Sequence, residues 1–277
     1  MKKKITARKP TGKIAILGAG NIGSAIARGL AASGLYQPCD ITLTRRRVEL
    51  LEPLRKEKFT VRQDNHAAVK EAGIIILAVG PRQLEILARE IQPVLDARRH
   101  IVISIVSGVS LSQMNGWLNS CAPLVRAMSN TAIAIREAMT CLSAAPEHQA
   151  ALASAKVLFD ALGKTLVVAE EMMLPATALA GCGIAFFLRA IRAASQGGTQ
   201  IGFHSEEALL MAAQTARGAA SLLLSTQGHP ESEIDKVTTP RGCTIEGLNE
   251  MEHHGFSSAM ITGIVTSNNK ASRLFKE

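Results

Sequence analysis

The chain has 277 residues, 47% of them apolar and 19% charged, enough for one large domain or two ordinary ones with a substantial core, and too apolar for a disordered chain. Its formal charge of +8 does not make it a nucleic-acid binder: aromatics are 3%, with one Trp and one Tyr, so base stacking has little to work with. Outside Met1–Lys13 and Arg45–Arg47 the basic residues are scattered, as a solvated surface and a phosphate-bearing ligand require.

The basic start MKKKITARKPTGK lacks the apolar stretch of a secretory signal. Ile14–Leu17 is an uninterrupted apolar run, predicting a strand covered on both faces. Ile22, Ile26 and Leu30 then carry helical spacing through Ile22–Ala32. Ile41–Leu43 reads as a second strand, and Ile74–Val79 and Ile101–Ile105 as two more, with Leu84, Leu87, Ile91 and Leu95 marking one face of the helix between them. Leu124–Met128, Met139–Ser143 and Leu166–Val168 are weaker strand signals. From Ala169 onward the pattern is helical only. Ser205 ahead of Glu206 and Glu207 reads as an N-cap, His229–Pro230 and Thr239–Pro240 interrupt the periodicity, Gly255 ends a helix, and Ser257–Leu274 makes the last one. The expected architecture is therefore α/β followed by all-α: a Rossmann-type parallel-sheet domain over residues 1–168 and a helical domain over residues 169–277.

The longest uncharged stretch, Met172–Leu188, contains Pro175, Gly181 and Gly183 and is short for a membrane span; a buried helix or a subunit interface fits it better. Cys39, Cys121, Cys141, Cys182 and Cys243 form no CxxC pair and are odd in number, which predicts reduced thiols and a cytoplasmic location. The histidines are dispersed and His253 and His254, being adjacent, diverge on a helix, so no metal site is expected.

The strand Ile14–Leu17 runs directly into Gly18-Ala-Gly20-Asn21-Ile22-Gly23. A GxGxxG set between a strand and a helix is a dinucleotide-binding turn: Gly18 for the tight turn, Gly20 for close approach of a pyrophosphate, Gly23 for packing of the helix on the sheet. An NAD-binding chain places Asp or Glu at the end of the second strand; here Thr44-Arg45-Arg46-Arg47 stands instead. Guanidinium groups grip a 2′-phosphate that a carboxylate repels, so Arg45 and Arg46, with Thr44 as a hydroxyl donor, predict NADPH in preference to NADH, while Arg47 is assigned to the start of a helix.

In the second half, Val237-Thr-Thr239-Pro-Arg241-Gly242-Cys243-Thr244-Ile-Glu-Gly-Leu248 is a Pro- and Gly-containing turn opening into a helix, whose free amides would receive a carboxylate. On spacing alone Thr244 is more simply an N-cap. This segment resembles the TSPGGTTxxGL signature of the pyrroline-5-carboxylate reductases. Leu77-Ala-Val-Gly-Pro81 is similar to that family's LAVKP, Ser104–Val109 to SIAAGV, Arg126–Thr131 to RxMPNT, Thr177–Gly183 to TALSGSG, and Gly255–Ile261 to the closing helix, all in the family's order from Lys13 onward.

The resemblance implies reduction of the cyclic imine 1-pyrroline-5-carboxylate to L-proline by hydride transfer from NAD(P)H. It assigns Thr244 to hydrogen-bond the imine nitrogen, the amides around Gly242, Cys243 and Thr244 to the carboxylate, Ala78, Val79 and Pro81 to the nicotinamide side, and Asn130 to positioning the ring. Thr239 and Arg241 of the same turn are counted as substrate-binding, Arg241 either as a cation beside the carboxylate, there to tighten its binding or to admit a larger, more acidic substrate, or as a side chain turned to solvent. It also implies a homodimer through the helical domain, stacked in some members into larger rings, each active site completed by the neighbouring subunit. Gly80, Ser129, Ala132, Cys182, Ile184 and Phe186 depart from the family's pattern, and Arg241 replaces the first glycine of PGG. A related imine or ketone reductase with an altered substrate, and a non-catalytic NADP(H) sensor, are the alternatives; retention of Thr244 favours catalysis.

Overall fold

The computed structural model describes residues 12–273; residues 1–11 of the basic start, and Leu274, lie outside the described residues. Two compact units are present, one formed by residues 12–182 together with 268–273, the other by Gly183–Ser267.

The first unit is built on eight strands, β1 (Lys13–Leu17), β2 (Ile41–Thr44), β3 (Thr60–Arg62), β4 (Ala72–Leu77), β5 (Ile101–Ser104), β6 (Leu124–Met128), β7 (Ala138–Ala144) and β8 (Gly163–Val167), in the order β3-β2-β1-β4-β5-β6-β7-β8. All neighbouring pairs are parallel except β6 with β7. The central strands are buried on both faces, which is why they read as continuous apolar runs. In β1, Ile14 and Ile16 enter a core with Ile26, Leu30 and Phe159, while Ala15 and Leu17 enter the opposite core with Leu84, Leu87 and Ile91.

Around the sheet lie α1 (Asn21–Ala32), α2 (Glu52–Lys56), α3 (Asn65–Glu71), α4 (Pro81–Ile91), α5 (Leu111–Leu118), α6 (Gln149–Asp160) and the short α7 (Met173–Ala176), which continues into a π-helical stretch, Thr177–Cys182. After β3 the chain crosses back over β1 to β4, so the strand order reverses between β1 and β4. An open sheet of this kind binds its ligand beyond the carboxyl ends of the strands at that reversal.

The helices α8 (Gly183–Gln200), α9 (Ser205–Thr226), α10 (Pro230–Val237), α11 (Cys243–His253) and α12 (Phe256–Arg273) complete the chain. α8 and α9 pack as a pair with Gly198 against Ala208, where an added Cβ would sit 3.0 Å from that of Ala208. Several large side chains stay exposed, among them Phe187 at 61%, Leu210 at 71% and Leu224 at 73%. The helix expected to be buried around 176–188 is not buried within one chain, since Leu179, Phe187 and Leu188 are open; a subunit interface is the expectation that remains. The stretch Glu170–Gln200 is long and apolar enough to cross a membrane by length and composition, with a mean hydropathy of 1.7 in its window.

Other boundaries moved for identifiable reasons. α4 stops at Ile91 because Pro93 follows, and Leu95 is already extended. Ser205 is the first helical residue of α9, not its cap; His204 is the cap, and its amide donates to Glu207 Oε2 at 3.1 Å. The helical region expected from residue 169 begins just after β8 ends at Val167, whereas the compact first unit continues through Cys182.

Candidate active site

At the end of β1 the chain turns through Gly18 and Gly20 into α1. Gly18 has φ +97°, and a Cβ there would lie 2.6 Å from Val79 Cγ1 and 2.7 Å from the Ala78 carbonyl oxygen, so no side chain fits. A Cβ on Gly23 would meet the Gly18 carbonyl at 2.8 Å, which keeps α1 tight against the turn. At Gly20 the space is open, with nothing among the described residues within 4 Å of a Cβ. Gly20 is also the N-cap of α1, with no side chain to occupy the amides of Asn21 and Ile22, and the first turn holds no acid. Free amides at the positive end of a helix, facing open space, form an anion receptor. The turn is held to β2 by Gly18 N and Ala19 N, which both donate to the Thr44 carbonyl at 3.1 and 2.8 Å.

Beside this turn lies a cleft of about 770 Å³ lined by Gly18, Gly20, Thr44–Arg47, Gln63, Asn65, Ala78–Gly80, Gln83, Ile86, Leu87 and Glu90. Its walls carry three arginines and one carboxylate. Arg45 donates through Nη1 to the Ala19 carbonyl at 3.3 Å, which draws it to the glycine turn. Arg46 is exposed, and its own carbonyl accepts from Gln63 Nε2 at 3.1 Å. None of the three arginines pairs with a carboxylate among the described residues. Arg47, assigned from sequence to a helix start, lines the cleft with the other two.

Two residues assigned from sequence to the cofactor have internal hydrogen-bond partners. Thr44 faces the cleft but is 2% exposed, and its hydroxyl donates to Asn65 Oδ1 at 2.6 Å, so its proton is not held out to a ligand. Asn130 has both ends of its amide engaged: Oδ1 accepts from Ala132 N at 3.1 Å and Nδ2 donates to the Ala180 carbonyl at 3.0 Å. It clamps the end of β6 to the π-helical stretch, with the second Nδ2 proton left over. Ala78 and Val79 line the cleft, whereas Pro81 is exposed as the first residue of α4, where its missing N–H costs nothing.

In the other unit, Gly242 N donates to the Thr239 carbonyl at 2.9 Å, closing a turn with Pro240 and Arg241 at its centre. Arg241 has φ +58°, the left-handed angle that the third position of such a Pro-initiated turn asks for and that glycine adopts freely. Gly242 is the N-cap of α11 and provides no capping side chain. Thr244 is therefore the second helical residue, not the cap; its hydroxyl makes no hydrogen bond among the described residues and is half-buried. The amides of Cys243 and Thr244 thus open at the positive end of α11 with a hydroxyl beside them.

Gln63, Asn65, Gln83, Ile86, Leu87 and Glu90 were not anticipated as cleft residues. Helical spacing places Leu84, Leu87 and Ile91 on the buried face of α4, and the cleft uses its flank. Among the described residues no three His, Cys, Asp or Glu side chains gather in a metal-binding group.

Residues 170–274 match the family described as pyrroline-5-carboxylate reductase dimerisation, and residues 13–108 the family described as NADP oxidoreductase, coenzyme F420-dependent. The chain is 51% identical over 276 residues to pyrroline-5-carboxylate reductase 1 of Dictyostelium discoideum, covering 95% of this chain and 50% of that protein, so it spans half the length of that relative. It is 45% identical to pyrroline-5-carboxylate reductase 2 of the same organism, covering 94% of this chain and 92% of that one. The solved structure of a pyrroline-5-carboxylate reductase from Coxiella burnetii is 30% identical and superposes with a TM-score of 0.86, covering 96% of this chain and 99% of that chain.

Proposed function

The chain belongs to the pyrroline-5-carboxylate reductase family of oxidoreductases, and we propose that it reduces 1-pyrroline-5-carboxylate to L-proline with NADPH in preference to NADH. The observation that carries the cofactor reading is the cleft at the strand-order reversal, where an open glycine turn stands beside Arg45, Arg46 and Arg47 with no carboxylate paired to them among the described residues. The solved structure of the Plasmodium falciparum pyrroline carboxylate reductase was obtained with NADP bound, and its likeness to this chain, at 20% identity and a TM-score of 0.83, is one of fold.

The residues present fit such a group. The amides of Asn21 and Ile22 would hold a pyrophosphate, Gly20 leaves room for it, and Arg45 and Arg46 would take the 2′-phosphate in charge-assisted hydrogen bonds. When bound, the reduced nicotinamide supplies the hydride that the imine carbon accepts. The chain's own part is to bind, orient and exclude water. The amides of Cys243 and Thr244 would receive the substrate carboxylate, with the Arg241 cation at the same turn, and the Thr244 hydroxyl would hydrogen-bond the ring nitrogen as that nitrogen becomes an amine. A protonated imine is already an electrophile, so no dedicated general base is required, and none has to be sought among the dispersed histidines. The exposed apolar faces of α8 and α9 lie within the dimerisation match and supply the surface for a homodimer.

The test is direct: the purified protein is mixed with NADPH and pyrroline-5-carboxylate, and the loss of NADPH absorbance is followed together with the appearance of proline. Proline formed in step with NADPH consumed is the expected result. Tight NADPH binding without turnover would identify a sensor, and turnover confined to other cyclic imines would reassign the substrate.

A further inference from the structure

Glu90, near the end of α4, lines the same cleft as the glycine turn although some seventy residues separate them in sequence. Its Oε1 accepts from Asn65 Nδ2 at 3.0 Å, and Asn65 Oδ1 in turn accepts from the Thr44 hydroxyl at 2.6 Å. Thr44, Asn65 and Glu90 all line the cleft, so one hydrogen-bonded chain runs from α4 through the start of α3 to the end of β2, immediately before the three arginines. The Glu90 carbonyl also takes His66 Nε2 at 2.6 Å. A carbonyl only accepts, so that ring nitrogen carries the proton, and the end of α4 is fastened to α3 at two adjacent residues.

The direction of the chain matters. A carboxamide presents one accepting and one donating end of nearly the same shape. The Thr44 hydroxyl is indifferent between them, because it donates to an oxygen or accepts from an amide. An ionised carboxylate is not indifferent, since it only accepts. Glu90 therefore decides which way Asn65 faces. With the amide nitrogen turned to Glu90, Thr44 gives its proton to Asn65 Oδ1 and keeps only lone pairs, while the second N–H of Asn65 remains a donor in the cleft. The hydroxyl that the sequence nominates as a ligand donor has handed that role to its neighbour.

We propose that Glu90 is a positioning residue for nucleotide binding, holding the Asn65 amide as a hydrogen-bond donor toward the phosphate-bearing ribose whose charge Arg45–Arg47 match. This rests on the cofactor reading above. Its opposite is a Glu90 whose negative charge merely repels a phosphorylated ligand from the cleft.

The experiment is equilibrium titration of NADPH, read by its fluorescence, into the full-length wild type, Glu90→Gln, Glu90→Asp, Asn65→Ala and the double variant Glu90→Gln/Asn65→Ala, with a thermal unfolding curve for each. Gln at position 90 still accepts but can equally donate, so it no longer fixes the Asn65 amide and no longer offers an ionised acceptor; about fivefold weaker binding is expected for Glu90→Gln. Glu90→Asp keeps the charge but falls short of Asn65, and the same loss is expected. In the Asn65→Ala background Glu90→Gln has nothing left to orient, so the double variant binds like Asn65→Ala. Tighter or unchanged binding in Glu90→Gln, wild-type binding in Glu90→Asp, or an undiminished effect of Glu90→Gln in the Asn65→Ala background each overturns the proposal. A wild type that binds no NADPH overturns the cofactor reading itself, an outcome distinct from a wild type that binds and a Glu90→Gln that matches it.

Discussion

Arg126 Nη1 donates to Glu170 Oε1 at 3.0 Å, and the same oxygen accepts the amide of Leu111. One carboxylate thereby joins β6 to the first turn of α5, where the helix amides would otherwise lack partners. The Arg126 side chain is 7% exposed and that of Glu170 34%. Burial pulls the guanidinium below its ordinary value, and Glu170 opposes that pull through its hydrogen bond and its charge. Glu170→Ala leaves a buried cation without its counter-charge and α5 without its outside acceptor; because Glu170 is partly solvated, the expected loss is about 2 kcal/mol, below the roughly 3–5 kcal/mol of a fully buried pair. Urea unfolding of Glu170→Ala and Glu170→Gln checks it, with Glu170→Gln, which still accepts, losing less.

His100 is 2% exposed, and its Nδ1 accepts from Asp96 N at 2.9 Å. Burial, followed by the charge of Arg99, pushes its pKa below the ordinary 6.5, against an opposing effect of Asp96. The unfolded chain then binds a proton that the folded chain refuses, so stability is fully present above the ordinary value and falls as the pH drops toward the lowered one. Unfolding free energies measured across that interval should fall in the wild type and flatten in His100→Asn, whose amide oxygen replaces the Nδ1 acceptor without titrating. An equal fall in both proteins assigns the acid sensitivity elsewhere.

The sequence made legible those features that depend on local pattern. Ile14–Leu17, Ile74–Leu77 and Ile101–Ile103 are apolar throughout because both faces are covered, and each lies in a strand. Gly18, Gly20 and Gly23 announce a turn that is crowded at Gly18 and open at Gly20. What stayed hidden depends on contacts across the fold. β3 is three residues long and only half-buried, so Thr60–Arg62 carries no periodic signal. Asn65 and Glu90 gain their meaning only because α3 and α4 meet at the cleft, which neither residue's neighbours reveal. Thr44 shows the same limit from the other side: its place beside the arginines was evident, while the partner that takes its proton comes from another element.

Arg45 leans toward the glycine turn through the Ala19 carbonyl, and it is the most enclosed of the three arginines of the cleft. Arg45→Ala should weaken NADPH about tenfold, the scale of a charge-assisted contact, and leave NADH nearly unaffected because no 2′-phosphate is present to lose it. Dissociation constants for both cofactors, measured side by side, give the ratio. An equal loss for the two would show that Arg45 serves the turn and not the phosphate.

Thr244 lies in the first turn of α11 with its hydroxyl free of partners among the described residues, while Gly242 occupies the capping position. Its removal should therefore cost activity and leave the helix intact. Thr244→Ala is expected to lower kcat/KM for the imine about a hundredfold, the scale of deleting one positioned hydrogen-bonding group at the reacting centre, while Thr244→Ser retains most of it. Unchanged thermal unfolding in both variants separates this from a structural role. A Thr244→Ala protein with wild-type kcat/KM would remove the hydroxyl from the mechanism.

Arg241 sets two effects against each other. At φ +58° a residue with a Cβ is held in the left-handed region at a cost of about 1–2 kcal/mol, which glycine avoids. Glycine, however, loses about 0.5–1 kcal/mol more backbone entropy on folding. The two partly offset, and Arg241→Gly should raise stability by about 0–1.5 kcal/mol. The charge has no such offset. Arg241 is exposed and unpaired among the described residues, one position before the capping Gly242, where its guanidinium adds to the helix amides in attracting a carboxylate. Arg241→Gly should then raise KM for pyrroline-5-carboxylate several-fold and leave NADPH affinity unchanged, and the rise should shrink with added salt as screening removes the difference. If KM does not move while the protein becomes more stable, the arginine contributes only backbone strain at this turn, and the helix amides hold the carboxylate without it.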